Sequence, residues 1–122
     1  MNRNEQFGER YDKQGLLISI SEWERLMSDP EYRQIGNTEV GTILIETTWR
    51  GFDPEFASFS AKANGTRPLI FETVVSAPEH HELNGETWRY ESLEQAIAGH
   101  EVVVSLVRNF GNKTEEVLPT GK

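Results

Sequence analysis

The feature that most limits how this chain can fold is a change of apolar period partway along it. In VGTILIETTW (40–49), the side chains of Ile43, Ile45, Thr47 and Trp49 share one side and those of Leu44, Glu46 and Thr48 the other. Such alternation belongs to an extended strand with two different faces. It recurs over 69–76 and 86–90. From Leu93 the spacing lengthens, and Leu93, Ala96, Ile97, His100, Val103, Val104 and Val107 fall on one helical stripe. Strands followed by a long amphipathic helix predict an α+β fold. The expected architecture is a three-stranded, or slightly larger, antiparallel sheet with a C-terminal helix on one face. That face should carry Trp49, Phe71, Trp88 and Tyr90.

The N-terminal third reads as shorter pieces. Tyr11-Asp12-Lys13-Gln14-Gly15 predicts a turn, and Leu16-Leu17-Ile18 a short extended segment entering the core. Ser21 and Glu24 have capping-box spacing, which opens a short helix with Trp23, Leu26 and Met27 on one face. Asp29-Pro30 marks a second helical start, stopped at Gly36-Asn37. This segment is expected to cover a sheet edge or part of the second face. Ser92 and Gln95 repeat the capping pattern ahead of the long helix, which should end near Asn109, with Gly111 as its stop. The 122 residues form one expected domain, with flexible ends at 1–10 and 112–122.

Composition narrows the function classes. The chain has no cysteine, so disulfides and thiolate chemistry are excluded. No apolar run approaches the roughly 18 residues of a membrane span, and the first residues lack the apolar core of a signal peptide. A cytoplasmic location is expected. With 20 acidic against 12 basic residues the net charge is −8, which disfavours nonspecific nucleic-acid binding. An acidic surface can instead meet a basic one on another protein.

Candidate chemistry centres on the polar side of the sheet. A register with Trp49 opposite Leu69 and Thr73 opposite Trp88 puts Glu46, Glu72 and Arg89 in one row, with cross-strand neighbours about 5 Å apart. Two carboxylates beside one guanidinium suit ligand recognition or acid–base work. A solvated ladder of ion pairs is the simpler account. Trp49, Asp53 and Trp88 complete the candidate ligand-binding set, because indoles can stack a base or sugar. The loop over 50–67 holds Phe52, Phe56 and Phe59, which pack on the domain or, if exposed, mark an interaction surface or a lid. His80-His81-Glu82 lacks further ligands at metal spacing and reads as a loop. His100, inside the helical stripe, reads as a core histidine with one partner, such as Tyr90 or a backbone carbonyl. No nucleophile motif, phosphate-cradling glycine loop, metal set or cofactor signature is present.

The stretches IETTWRGFD (45–53), RPLIFETVV (67–75) and ETWRYESLEQAIAGHE (86–101), together with the Tyr-Asp-x-x-Gly turn and Trp23, resemble a family of small uncharacterised proteins of bacteriophages and of bacteria, many of them actinobacterial. The likeness covers residues 10–108. Where those proteins commonly carry histidine after the aspartate of the first motif, this chain has Pro54. Where they have Phe-Gly-Gly after the second strand, it has Ser76-Ala77-Pro78. Any chemistry of that histidine therefore has no carrier here. The resemblance implies a phage or mobile-element setting, in which small accessory proteins act by binding a host or phage protein, host-defence factors included, or by sequestering a small molecule. A protein partner or self-association is thus expected, with a nucleotide-like ligand as the alternative and a carboxylate enzyme using Glu46 and Glu72 as a third reading.

Overall fold

A computed structural model describes residues 9–57 and 65–120. A small hairpin of β1 (Arg10–Tyr11) and β2 (Leu17–Ile18) leads into α1 (Ile20–Met27) and α2 (Pro30–Arg33). A four-stranded sheet follows, built from β3 (Gln34–Val40), β4 (Ile43–Trp49), β5 (Phe71–Ser76) and β6 (Thr87–Tyr90), antiparallel in that order. The long helix α3 (Leu93–Thr120) then crosses one face of the sheet. The α+β fold expected from the change of period is the one observed.

Local chemistry explains most of the element boundaries. The Asp12 carboxylate accepts hydrogen bonds from the Gln14 and Leu16 amides at 2.9 Å each, and Gly15 takes a positive φ of 84° to close the turn. Helix α1 starts two residues earlier than expected, because Ser19 is its N-cap and accepts from the Glu22 amide. Ser19 and Glu22 have the same S-x-x-E spacing as Ser21 and Glu24, so the sequence offered two registers. The Glu22 carboxylate binds Arg25 instead of reaching back to the cap. Asp29 caps α2, with Pro30 in its first turn, as read.

The extra strand is β3. Gly36 and Asn37 do not stop a helix; they belong to the edge strand, which folds back on β4 through a two-residue turn at Gly41-Thr42. Gly41 has φ 61°, the geometry such a hairpin turn asks of its first central residue. At the other end of the chain Gly111 keeps a helical backbone, so α3 continues to Thr120 past the expected stop. Glycine ends a helix only where φ turns positive.

Two apolar clusters fill the space between helix and sheet. One joins Leu26, Trp49, Ile70, Phe71 and Ala96, with Tyr11, Ile18, Trp23, Tyr32 and Tyr90 around it. The other joins Ile45 and Val75 to Val103, Val104 and Val107, with Trp88 against it. Full burial of each leucine, isoleucine, valine and phenylalanine among them contributes about 1.5–3 kcal/mol. The N-terminal segment packs on the first cluster at the Trp49 end, on the helix side of the sheet. Only Ile18 of the expected core-entering segment is drawn in, while Leu16 and Leu17 stay 64% and 61% exposed.

The WRG triplet fixes this corner. The Trp49 indole donates to the Tyr11 carbonyl at 3.1 Å, and the Trp23 indole donates to the Arg50 carbonyl at 2.9 Å. Gly51, at φ 67°, lies so close beneath the Trp49 ring and the Tyr11 carbonyl that a Cβ there would fall 2.4 Å from the indole. Only glycine meets both conditions.

Candidate functional site

The observed register separates the charged residues expected to form one row. Trp49 pairs with Phe71, not Leu69, so Glu46 faces Val74 and Thr48 faces Glu72. The slip is two residues, which keeps every side chain on its expected face and breaks the row. Two buried aromatics meet in this register, and the Arg50 and Gly51 amides both bond the Ile70 carbonyl beyond the strand. The pairing of Glu72 with Arg89 and of Thr73 with Trp88 is as expected. Glu72 is flanked by two guanidinium groups, Arg50 at 3.0 Å and Arg89 at 3.3 Å, both on Oε1. Arg50 continues the 46-48-50 alternation past the end of β4, and that alternation was the signal that could have found it.

The tryptophans lie on the opposite side from these charges. Trp49 is 1% exposed inside the core, and Trp88 packs on the valine cluster under α3. Thus Glu46, Glu72 and Arg89 do not converge with Trp49 and Trp88 on any common surface. Phe52 is not a free aromatic either: it meets Trp23 edge-on at 6.5 Å, with the Arg10 guanidinium 3.9 Å over its ring. Phe59 lies outside the described residues.

Asp53 and Phe56 remain at an accessible concavity. Asp53 tethers its own loop, accepting from the Glu55 amide through Oδ1 and from the Leu69 amide through Oδ2 at 2.8 Å. Beside it opens a cavity of about 510 Å³, lined by Phe56, Gly65, Thr66, Arg67 and Glu91 among others. A second hollow of about 330 Å³ adjoins it, lined by the 13–15 turn and by Ser92 and Glu94 at the start of α3. Arg67 and Glu91 line both and sit 3.8 Å apart across the junction. Among the described lining residues, carboxylates at Asp53, Glu55, Glu91 and Glu94 outnumber the cations Arg67 and Lys13. The groove therefore favours positive charge. Arg67 and Glu91 flank their strands and carried no periodic signal, which is why the sequence did not single them out.

His100 belongs to a different arrangement. It is 4% exposed, with Nδ1 2.7 Å from Thr47 Oγ1 and Nε2 2.9 Å from Thr38 Oγ1. Thr47 in turn bonds Thr73 at 2.5 Å, and the Tyr90 hydroxyl donates to Thr73 at 2.9 Å. The histidine thus has two threonine partners, and Tyr90 reaches it only through Thr73 and Thr47 in turn. With Tyr90 donating to Thr73, the direction that satisfies every hydroxyl runs Thr73 to Thr47, Thr47 to Nδ1 and the Nε2 hydrogen to Thr38, a neutral imidazole with a hydroxyl partner on each nitrogen. Burial lowers the His100 pKa, an effect partly offset by the Glu101 carboxylate. Gly36 gives the ring its space, since a Cβ there would come within 2.8 Å of it. Sealed in this way, the imidazole has no route to a substrate.

His80 and His81 lie in the loop between β5 and β6, where His81 Nδ1 accepts from the Leu83 amide. Among the described residues no three His, Cys, Asp or Glu side chains are placed to hold a metal ion. No described helix is long and apolar enough to cross a membrane. Comparison with protein-family models, curated proteins and solved structures returned no match.

Proposed function

We propose that this chain is a non-catalytic binding protein, of the phage- or mobile-element accessory kind, that takes a partner polypeptide against the groove bordered by the 13–15 turn, Arg67 and Glu91. The observation that carries this reading is the exposure of Leu16 and Leu17, at 64% and 61%, directly after the turn that lines the groove. Adjacent leucines left in water beside a concave surface mark a contact surface. The excess of carboxylates along the groove favours a partner segment carrying lysine or arginine. The motif resemblance supplies the setting: a host or phage protein as partner, with host-defence factors among the expected targets. An enzyme has less support, because Glu46 and Glu72 do not converge and His100 is enclosed.

Native mass spectrometry of the protein purified from its own host tests this. A stoichiometric polypeptide retained by the native chain and lost in Leu16→Asp/Leu17→Asp is the expected result. Retention of that polypeptide by the variant, or a bound small molecule in its place, would overturn it. The small-molecule outcome is the second reading, favoured by the 510 Å³ cavity, which falls within the roughly 300–1,000 Å³ of ligand pockets. In it, Phe56 and Arg67 line the cavity for a nucleotide-like ligand, while the carboxylates of Asp53, Glu55 and Glu91 beside them oppose an anion and keep this reading second.

A further inference from the structure

Helix α3 buries one side against the sheet through Ala96, His100, Val103, Val104 and Val107. At about 100° per residue the line pointing directly away from the sheet carries Ala98, Val102, Ser105 and Asn109. These follow a 4-3-4 spacing, the seam of a helix made to pair with another helix. None of the four is charged, and all are exposed, Val102 at 67%. Leu106, 43% exposed, and Gly99 border the seam on one side. On the other side, over the helix residues up to 110 whose side chains the structure describes, a row at seven-residue spacing reads Glu94, Glu101, Arg108. Neither Glu101 nor Arg108 makes an ion pair among the described residues.

We infer that this face of α3 docks on the same face of a second copy of the chain, as an antiparallel helix pair about a two-fold axis. The charge row selects that occupant and that direction. In antiparallel pairing the two flanking rows on one side of the seam face each other, so Glu101 of each copy meets Arg108 of the other and two identical ion pairs form. A two-fold contact has this self-complementary form. In the same register Val102 fits between Ser105 and Asn109 of the second copy. Small side chains at Ala98 and Ser105 let the helices approach closely. The contact is small and only partly apolar, which places it among weak, concentration-dependent dimers.

The dimer goes beyond the groove reading and shares with it only the premise that exposed apolar surface is contact surface. A foreign polypeptide held by a chain that is otherwise monomeric would sink the dimer and leave the groove reading standing. Sedimentation equilibrium of the full chain, up to about 100 µM so that weak association is covered, should give a two-chain mass. Val102→Glu should give a monomer with unchanged far-UV circular dichroism. Arg108→Glu and Glu101→Arg should each weaken association at least about tenfold, and the exchange Glu101→Arg/Arg108→Glu should restore it. The inference is overturned by a monomeric native chain, by a dimer that survives Val102→Glu, or by single charge changes that the exchange fails to rescue. The exposed charge variants keep the test decisive even if Val102→Glu misfolds.

Discussion

Consecutive residues on β5 and β6 build two polar groups that differ in almost every physical respect. Thr73 and Tyr90 turn inward to Thr47 and His100, while Glu72 and Arg89 turn outward to Arg50. The inner group is neutral and almost entirely dry, with Thr47 and Thr73 both at 0% exposure. The outer group is charged and open, with its side chains 19–40% exposed. A hydrogen bond removed from the first leaves a partner with no water to replace it, whereas one removed from the second is replaced by solvent. The less conspicuous group should therefore hold the fold, and the charged one should matter far less to it.

The largest effect is expected from Thr73→Val, which keeps the shape of the side chain and removes its hydroxyl. Thr47 and the Tyr90 hydroxyl then lose a partner between helix and sheet, and the loss should cost about 2–3 kcal/mol. Urea denaturation would show it as a lower midpoint with an unchanged slope. A cost below that of Glu72→Gln would reverse the ranking of the two groups.

Next in size is a dependence on pH that His100 of the inner group should bring. Burial lowers the His100 pKa below its ordinary value of 6.5. As pH falls through that value the unfolded chain takes up the proton before the folded one does. The stabilisation is thus complete above the unfolded pKa and declines as pH drops towards the folded pKa, by at most about 1.4 kcal/mol per pH unit. Denaturation curves at pH 7.5 and 5.5 should differ for the native chain, and the difference should shrink in His100→Gln, which leaves His80 and His81 in place. If the variant kept the full difference, the buried imidazole would not be its source.

Glu72→Gln should cost less, about 0.5–1 kcal/mol, because Arg50 and Arg89 regain water when the carboxylate is neutralised. The cost should fall further at high salt, since screening acts on exposed pairs. The Thr73→Val cost should not respond to salt, and running both variants at two ionic strengths would sharpen the contrast between the faces.

Much of this could be read from the sequence, for reasons that also explain what could not. Alternation assigns a face, so Thr47, Thr73 and Tyr90 could be placed inward and Glu46, Glu72 and Arg89 outward without knowing the register. A two-residue slip leaves those assignments intact, which is why the faces were legible and the row through Glu46 was not. The strand β3 was obscured because Gly36 and Asn37 resemble a helix stop when read locally. Its true role depends on the Gly41 turn and on His100, far away in sequence, which needs the space above Gly36. The groove at Arg67 and Glu91 was illegible for a similar reason, since it forms only where a loop, a turn and a helix start come together.

The smallest predicted effect bears on the one residue that the slip removed from the cluster. With Val74 opposite it in β5 and Asn37 opposite it in β3, Glu46 has no cation across either strand. Glu46→Gln should then leave stability within about 0.5 kcal/mol of the native chain. Combined with Glu72→Gln, it should add independently, because residues that share no partner do not couple. Strong non-additivity between the two substitutions would mean that both carboxylates act on the same guanidinium group. That result would restore the single row expected from the sequence and, with it, the case for a paired-carboxylate site on the outer face.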